Sequence, residues 1–274
     1  MSRPARAKKS LGQNYLVDPN YQRKIIDVID PQAGDDIIEI GPGTGALTQH
    51  IVGRVRSLTA IELDDQLAAA LQVRYGGRAD VTVVHEDVMR VNLGDVANHK
   101  IVGNIPYNIT SPLIFKLLER QARPSQLVLM VQKEVADRIV ASAGHGEYGA
   151  LTIGVQSVAS AARLFVVPSG AFRPVPKVDS AVVRLVPHRP PRLSASEEAD
   201  LRSLTRAAFS WRRKQFQNIL RNAAGFGLTP AQVKEIEETT NLHMSNRPEQ
   251  LSPADFITLS RQLRALGFPA PITA

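Results

Sequence analysis

Residues 36–48 read "DIIEIGPGTGALT", and this stretch decides the fold. A short apolar, β-branched run stops at Gly41. Gly43 and Gly45 follow at alternate positions before a helical pattern opens. Glycine lets a backbone turn sharply and approach a ligand where a Cβ would block it. A strand, a glycine turn and a helix in that order open an α/β protein. The spacing G-x-G-x-G is not the dinucleotide G-x-G-x-x-G, and no Lys follows as in a P-loop. A pyrophosphate would profit from a helix N-terminus. Here Glu39 stands just before the loop and adds negative charge, which suits a cationic ligand.

Working outward, the same alternation continues. "SLTAIEL" (57–63) precedes the helical "DDQLAAALQVRY" (64–75), and "VTVVHED" (81–87) is a third strand. "KIVGN" (100–104) leads into "SPLIFKLLER" (111–120), and "QLVLMVQ" (126–132) into "KEVADRIVA" (133–141). Short buried strands alternating with amphipathic helices predict a mainly parallel sheet. "ARLFVV" (162–167) and "SAVVRLV" (180–186) flank a Pro-rich connection too short for a crossover helix. They are expected as an antiparallel pair at one sheet edge. The Pro- and Arg-rich "PHRPPRLSAS" (187–196) then reads as a linker. Beyond it only helical periodicity remains, with Ser196, Thr229 and Ser252 as expected N-caps. Two domains are expected: 1–187, α/β with a basic N-terminal arm, and 188–274, small and all-helical.

Composition bounds the function. The 274 residues, 43% hydrophobic, suffice for a large core. The absence of cysteine removes disulfides and thiolate chemistry and fits a reducing, cytoplasmic compartment. No apolar run of about 18 residues appears, so no membrane span is expected. The basic N-terminus lacks the apolar core of a secretory signal. A formal charge of +7 attracts polyanions, nucleic acid first among them. The six His show no metal-ligand spacing, so no metal site is expected.

Two more carboxylates end strands. Glu62 closes "SLTAIE", roughly 20 residues past the glycines, the spacing at which an acid grips ribose hydroxyls. Asp87 closes "VTVVHED" and would accept from an adenine amino group. Ligands of doubly wound sheets bind beyond the carboxyl ends of the strands. The glycines, Glu62, Asp87 and Asn104 are therefore expected around one crevice. Ribose, adenine and a cation without phosphate describe S-adenosyl-L-methionine, the methyl donor.

Asn104 opens "NIPY" at the end of the next strand. Pro106 fixes φ and removes a donor, which leaves nearby carbonyls facing the site. Tyr107 offers a flat ring. An amide oxygen, backbone carbonyls and a stacking surface together suit an exocyclic amine on a planar base. A base in such a pocket must be unstacked or flipped. Turn chemistry alone also allows an Asx-Pro turn with Tyr packed in the core.

Seven stretches carry a resemblance: "KKSLGQNYL", "IIEIGPGTGALT", "IELD", "HEDVM", "GNIPYNITSPLIF", "MVQKEVADRI" and "FRPVPKVDSAVV". In this order they resemble the ribosomal RNA adenine N6-dimethyltransferase family, closest to its small-subunit branch. The resemblance implies a Rossmann-like class I methyltransferase sheet and N6,N6-dimethylation of two adjacent adenosines near the 3′ end of 16S rRNA. It implies a small-subunit precursor as partner, a role in its assembly, and a monomer. It implies cofactor contacts at Asn14, Leu16, Gly41, Glu62, Asp87 and Asn104, and target-adenine contacts at Asn104, Ile105, Pro106, Tyr107 and Phe172. Ile105 and Tyr15 stand where many members have Leu and Phe. A large-subunit rRNA dimethylase of the macrolide-resistance type shares "NIPY". A non-catalytic assembly or transcription factor would keep the fold; the intact glycine loop, Glu62 and Asp87 argue against loss of catalysis.

Some residues stay open at this level. Phe172, in a Pro-rich loop, reads as core packing or as a stacking face opposite Tyr107. Arg212, Arg213, Lys214 and Arg221 read as an RNA-phosphate surface or a solvated face. Lys8 and Lys9 read as a phosphate-touching arm or a frayed tail.

Overall fold

A computed structural model describes residues 13–119, 122–211 and 213–268. The chain forms two compact units: residues 1–136 with 161–187, and residues 137–160 with 188–274.

The first unit carries the sheet. Its elements are β1 (Tyr15–Leu16), α1 (Pro19–Ile29), β2 (Asp36–Ile40), α2 (Thr48–Ile51), β3 (Ser57–Glu62), α3 (Asp65–Tyr75) and β4 (Val81–His85). Then come β5 (His99–Asn104), α4 (Thr110–Leu118), β6 (Gln126–Gln132) and the first half of α5 (Lys133–Val140). After α6 (Ala150–Gln156) in the second unit, the chain returns through β7 (Ala159–Val167), β8 (Phe172–Arg173) and β9 (Ser180–Pro187). The seven-stranded sheet has the order β4-β3-β2-β5-β6-β9-β7. β2 to β6 pair in parallel, and β9 runs antiparallel to β6. The expected mostly parallel sheet with an antiparallel strand toward one edge is borne out. β6 is buried from Leu127 to Val131, as befits a central strand covered on both faces.

Close packing at the sheet centre explains Gly103. A Cβ there would lie 2.4 Å from the Ile40 carbonyl oxygen, so β2 and β5 approach as they do only without a side chain at this position. Two features were not expected from the sequence. β1 and β8, two residues each, pair antiparallel with Leu16 opposite Phe172. α1 starts at Pro19 after the N-cap Asp18.

The second unit is helical, with α7 (Ala195–Ser210), α8 (Phe216–Asn222), α9 (Pro230–Thr240) and α10 (Pro253–Ala265). Thr229 and Ser252 cap α9 and α10 as expected. The cap of α7 is Ser194 rather than Ser196, because Ser194 closes a capping box with Glu197. Residues 137–160 lie before the linker yet group here. Tyr148 and Ile153 are buried in the helical core with Phe216, Phe256 and Leu259, and the Tyr148 hydroxyl donates to the Leu251 carbonyl at 2.7 Å.

Candidate active site

The carboxyl ends of β2, β3, β4 and β5 open on one cleft. It is lined by the glycine loop at Gly41 and Gly43, by Glu62 and Leu63, by Glu86 to Val88, and by Asn104 to Tyr107. Gln13, Asn14 and Tyr15 close another side. The structure therefore brings together most of the residues read from sequence. The cleft encloses about 780 Å³ of empty space, its open mouth included.

Each wall has a local cause. Gly41, Gly43 and Gly45 have φ of 64°, 59° and 84°, a region that side chains other than glycine enter at a cost. The loop is held by Glu62, whose Oε2 accepts from Gly43 N at 2.9 Å while Oε1 accepts from Asp64 N at 2.9 Å. An ionised carboxylate has about four acceptor positions, so lone pairs remain toward the cleft. Asp87 Oδ1 accepts from Met89 N at 2.8 Å, an Asx turn that fixes its side chain.

Asn104 donates its Nδ2 to the Asn14 carbonyl at 2.9 Å. That bond sets the amide orientation and leaves Oδ1 as the acceptor. Among the described residues neither Asn104 Oδ1 nor the Ile105 carbonyl accepts a hydrogen bond. The Pro106 carbonyl, by contrast, is used inside the turn by Ile109 N and Thr110 Oγ1. The segment before β1 is tied across the cleft in turn. Tyr15 donates its hydroxyl to Gln13 Oε1 at 2.9 Å, and Gln13 Nε2 donates to Asp64 Oδ2 at 3.1 Å. Leu63, Glu86 and Val88 were not singled out from sequence, and adjacency to Glu62 and Asp87 was their only signal; Gln13 entered only as part of the "KKSLGQNYL" stretch beside Asn14.

Two expectations are corrected. Phe172 is completely buried in the core with Leu16, Ile25 and Val182. Its pairing opposite Leu16 turns the ring inward, so it offers no stacking face to the cleft. Glu39 lies on β2 between Ile38 and Ile40, and alternation sends it away from the cleft that Ile40 lines. It is buried, accepts from Thr48 Oγ1 at 2.7 Å, and borders a smaller hollow with Leu16 and Met130. Burial is the main cause that pushes its carboxyl up to about 7, and the charge of Glu62 adds to it. The negative charge at the cleft comes instead from Glu62, Glu86 and Asp87, with no Lys, Arg or His among the described residues that line it. Leu16 borders the hollow rather than the cleft. Lys8, Lys9 and Arg212 lie outside the described residues.

The cleft fits S-adenosylmethionine on its own chemistry: carboxylate acceptors at neighbouring strand ends for ribose hydroxyls and an adenine amino group, acidic walls for a cation, and no Lys or Arg among the described lining residues for a phosphate. Comparisons with known proteins agree. Residues 5–264 match the family model for ribosomal RNA adenine dimethylase. A Geobacter metallireducens protein named ribosomal RNA small subunit methyltransferase A is 41% identical over 268 residues, 96% of this chain and 97% of that one. A protein of the same name from Xanthomonas euvesicatoria is 42% identical over 259 residues, 93% and 96% of the two chains. A solved dimethyladenosine transferase from Plasmodium falciparum superposes with a TM-score of 0.79 at 28% identity, covering 92% of this chain and 98% of that one. The 23S rRNA methyltransferase ErmE follows at 0.71 and 25%, covering 92% and 100%. With family model, full-length relatives and cleft in agreement, the chain belongs to the ribosomal RNA adenine dimethylase family.

Proposed function

We propose that this protein uses S-adenosylmethionine to dimethylate N6 of two adjacent adenosines near the 3′ end of small-subunit rRNA. The observation that carries the reading is the acid-lined cleft beside an Asn104 amide whose oxygen is free to accept. The names of relatives over 90% of the chain support the small-subunit substrate. The same reading has the chain act as a monomer in the cytoplasm, on a subunit precursor.

S-adenosylmethionine supplies, when bound, an electrophilic methyl on a sulfonium. Glu62 accepts from the ribose hydroxyls, and Asp87 from the adenine amino group. Asn14 and Gly41 border the methionine end, and Leu16 backs that wall from the hollow. Tyr107 stacks on the target base, worth ~1–3 kcal/mol. Asn104 Oδ1 and the Ile105 carbonyl accept the N6 hydrogens of the target, which turns the amine lone pair out of the ring system. No side chain acts as a strong base: an aromatic amine becomes acidic only after its methyl is in place. What the site supplies is orientation and hydrogen-bond acceptance.

Primer extension on small subunits and, separately, on large-subunit rRNA, each treated with the protein and S-adenosylmethionine, tests this reading, because dimethylated adenine stops reverse transcriptase. Stops at two adjacent adenosines near the 3′ end are expected, with Asn104→Ala slowing single-turnover transfer ~10²–10³-fold. Stops in large-subunit rRNA instead would move the substrate, and a parental rate for Asn104→Ala would reduce the Asn-Ile-Pro-Tyr turn to a structural role.

A further inference from the structure

Tyr107 has a feature that stacking does not require. Its phenol oxygen shares a hydrogen bond of 3.1 Å with Ser180 Oγ. Neither hydroxyl has another hydrogen-bond partner among the described residues. Ser180 is fully buried at the start of β9, whereas Tyr107 is only half-buried at the cleft. The buried partner is the fixed one. Its neighbour Asp179 is clamped twice: its carbonyl accepts from Lys133 N at 2.9 Å, and its Oδ1 accepts from Ser169 N at 2.9 Å. Ser180 itself stands opposite Gln132 of β6. The turn that carries Tyr107 hangs from the same strand, through Ile105 N donating to the Met130 carbonyl at 3.0 Å. Both ends of the Tyr107–Ser180 bond are thus referred to the backbone of β6.

We propose that Ser180 is a positioning residue for methyl transfer: its hydroxyl holds the phenol of Tyr107, and through it the plane on which the target adenine lies. The proposal rests on the reading of Tyr107 as the stacking face. A ring held only by its Cβ rocks about two side-chain torsions, and a stacked base rocks with it. Anchoring the far end of the ring removes that freedom. Phe would supply the same stacking face, so what Tyr adds at this position is the tether. A buried Tyr hydroxyl finds a partner as a rule; here the partner sits on a buried strand paired to the centre of the sheet.

The test compares Ser180→Ala, Tyr107→Phe, the double variant and Tyr107→Ala in the full chain. The readouts are single-turnover methyl transfer to unmethylated small subunits and S-adenosylmethionine affinity by calorimetry. Ser180→Ala and Tyr107→Phe should each slow transfer ~10-fold or more, since a misplacement of about 1 Å can cost ~10²-fold. Cofactor affinity should stay at the parental value in both. The double variant should be no slower than either single one, because both remove the same bond. If Ser180→Ala does not fold, Tyr107→Phe decides, and a parental rate overturns the proposal. Additive losses in the double variant overturn it too. If Tyr107→Ala abolishes transfer while Tyr107→Phe and Ser180→Ala do not, stacking stands and positioning falls. A parental rate for Tyr107→Ala removes the stacking reading itself.

Discussion

Glu39 is a carboxylic acid enclosed by a sheet and a short helix, with the Thr48 hydroxyl on one oxygen. Its carboxyl is raised from the usual 4.5 to about 7. A folded state that holds a proton the unfolded chain has released loses stability as pH rises between those two values. The loss begins near pH 4.5 and is complete above about 7. At ~1.4 kcal/mol per pH unit it amounts to about 3 kcal/mol. Glu39→Gln keeps an acceptor for Thr48 and removes the ionisation. Relative to the parent, this variant should gain about 3 kcal/mol of stability between about pH 4.5 and about pH 8. Denaturant melts at both ends of that range check it, and a pH-independent difference would show that Glu39 does not titrate there. At this scale the sequence named the right residue types but not their directions. Glu39 and Ile40 are neighbours, and only the pleat decides which of them meets the ligand. Phe172 failed for the same reason: its pairing with a two-residue strand turns it inward, and two residues show no period.

At the scale of elements the alternation of strands and helices was legible, because β2 to β6 are compact apolar runs set between helical patterns and the glycine loop falls at the end of β2. Unread were α1, α6 and the β1–β8 pair. The Ser194 cap was legible in principle: Glu197 stands three residues on, whereas Ala199 follows Ser196 at that distance. The approach of β2 to β5 yields a prediction of its own. Gly103→Ala places a methyl 2.4 Å from the Ile40 carbonyl, an atom of backbone that cannot swing aside. The strands must separate, which should destabilise the protein by ~1–3 kcal/mol, as overpacking does. Asn104 follows directly, so methyl transfer should fall with it. Thermal melts and a single-turnover assay on the folded fraction measure the two effects separately. A parental melting temperature would mean that the sheet yields at its centre.

The molecule as a whole is basic, with a net charge of +7, yet its cleft is lined by acids. The two polarities belong to two ligands, a cationic small molecule and a polyanion. In the turn between α7 and α8, Arg213 and Lys214 are exposed next to the half-exposed Trp211. If this turn grips phosphate, replacing Arg212, Arg213 and Lys214 together by Ala should flatten the log–log salt dependence of RNA binding. The slope should drop by ~0.7–0.9 for each phosphate that is no longer neutralised. Filter binding across a salt series reads this directly, and identical slopes would place the RNA-binding surface elsewhere. The discontinuity of the helical unit bears on how the chain is made. Residues 137–160 leave the ribosome before 188–274, yet Tyr148 and Ile153 belong to a core that those later residues complete. Chains fold from the N-terminal side as they are synthesised, so the sheet can close as soon as β9 has emerged, while this excursion waits with its apolar side chains uncovered. A nascent chain halted at residue 187 would be a finished sheet trailing an adhesive loop, and a chaperone that recognises exposed aliphatic and aromatic groups should crosslink to that loop and release it once α10 has been made.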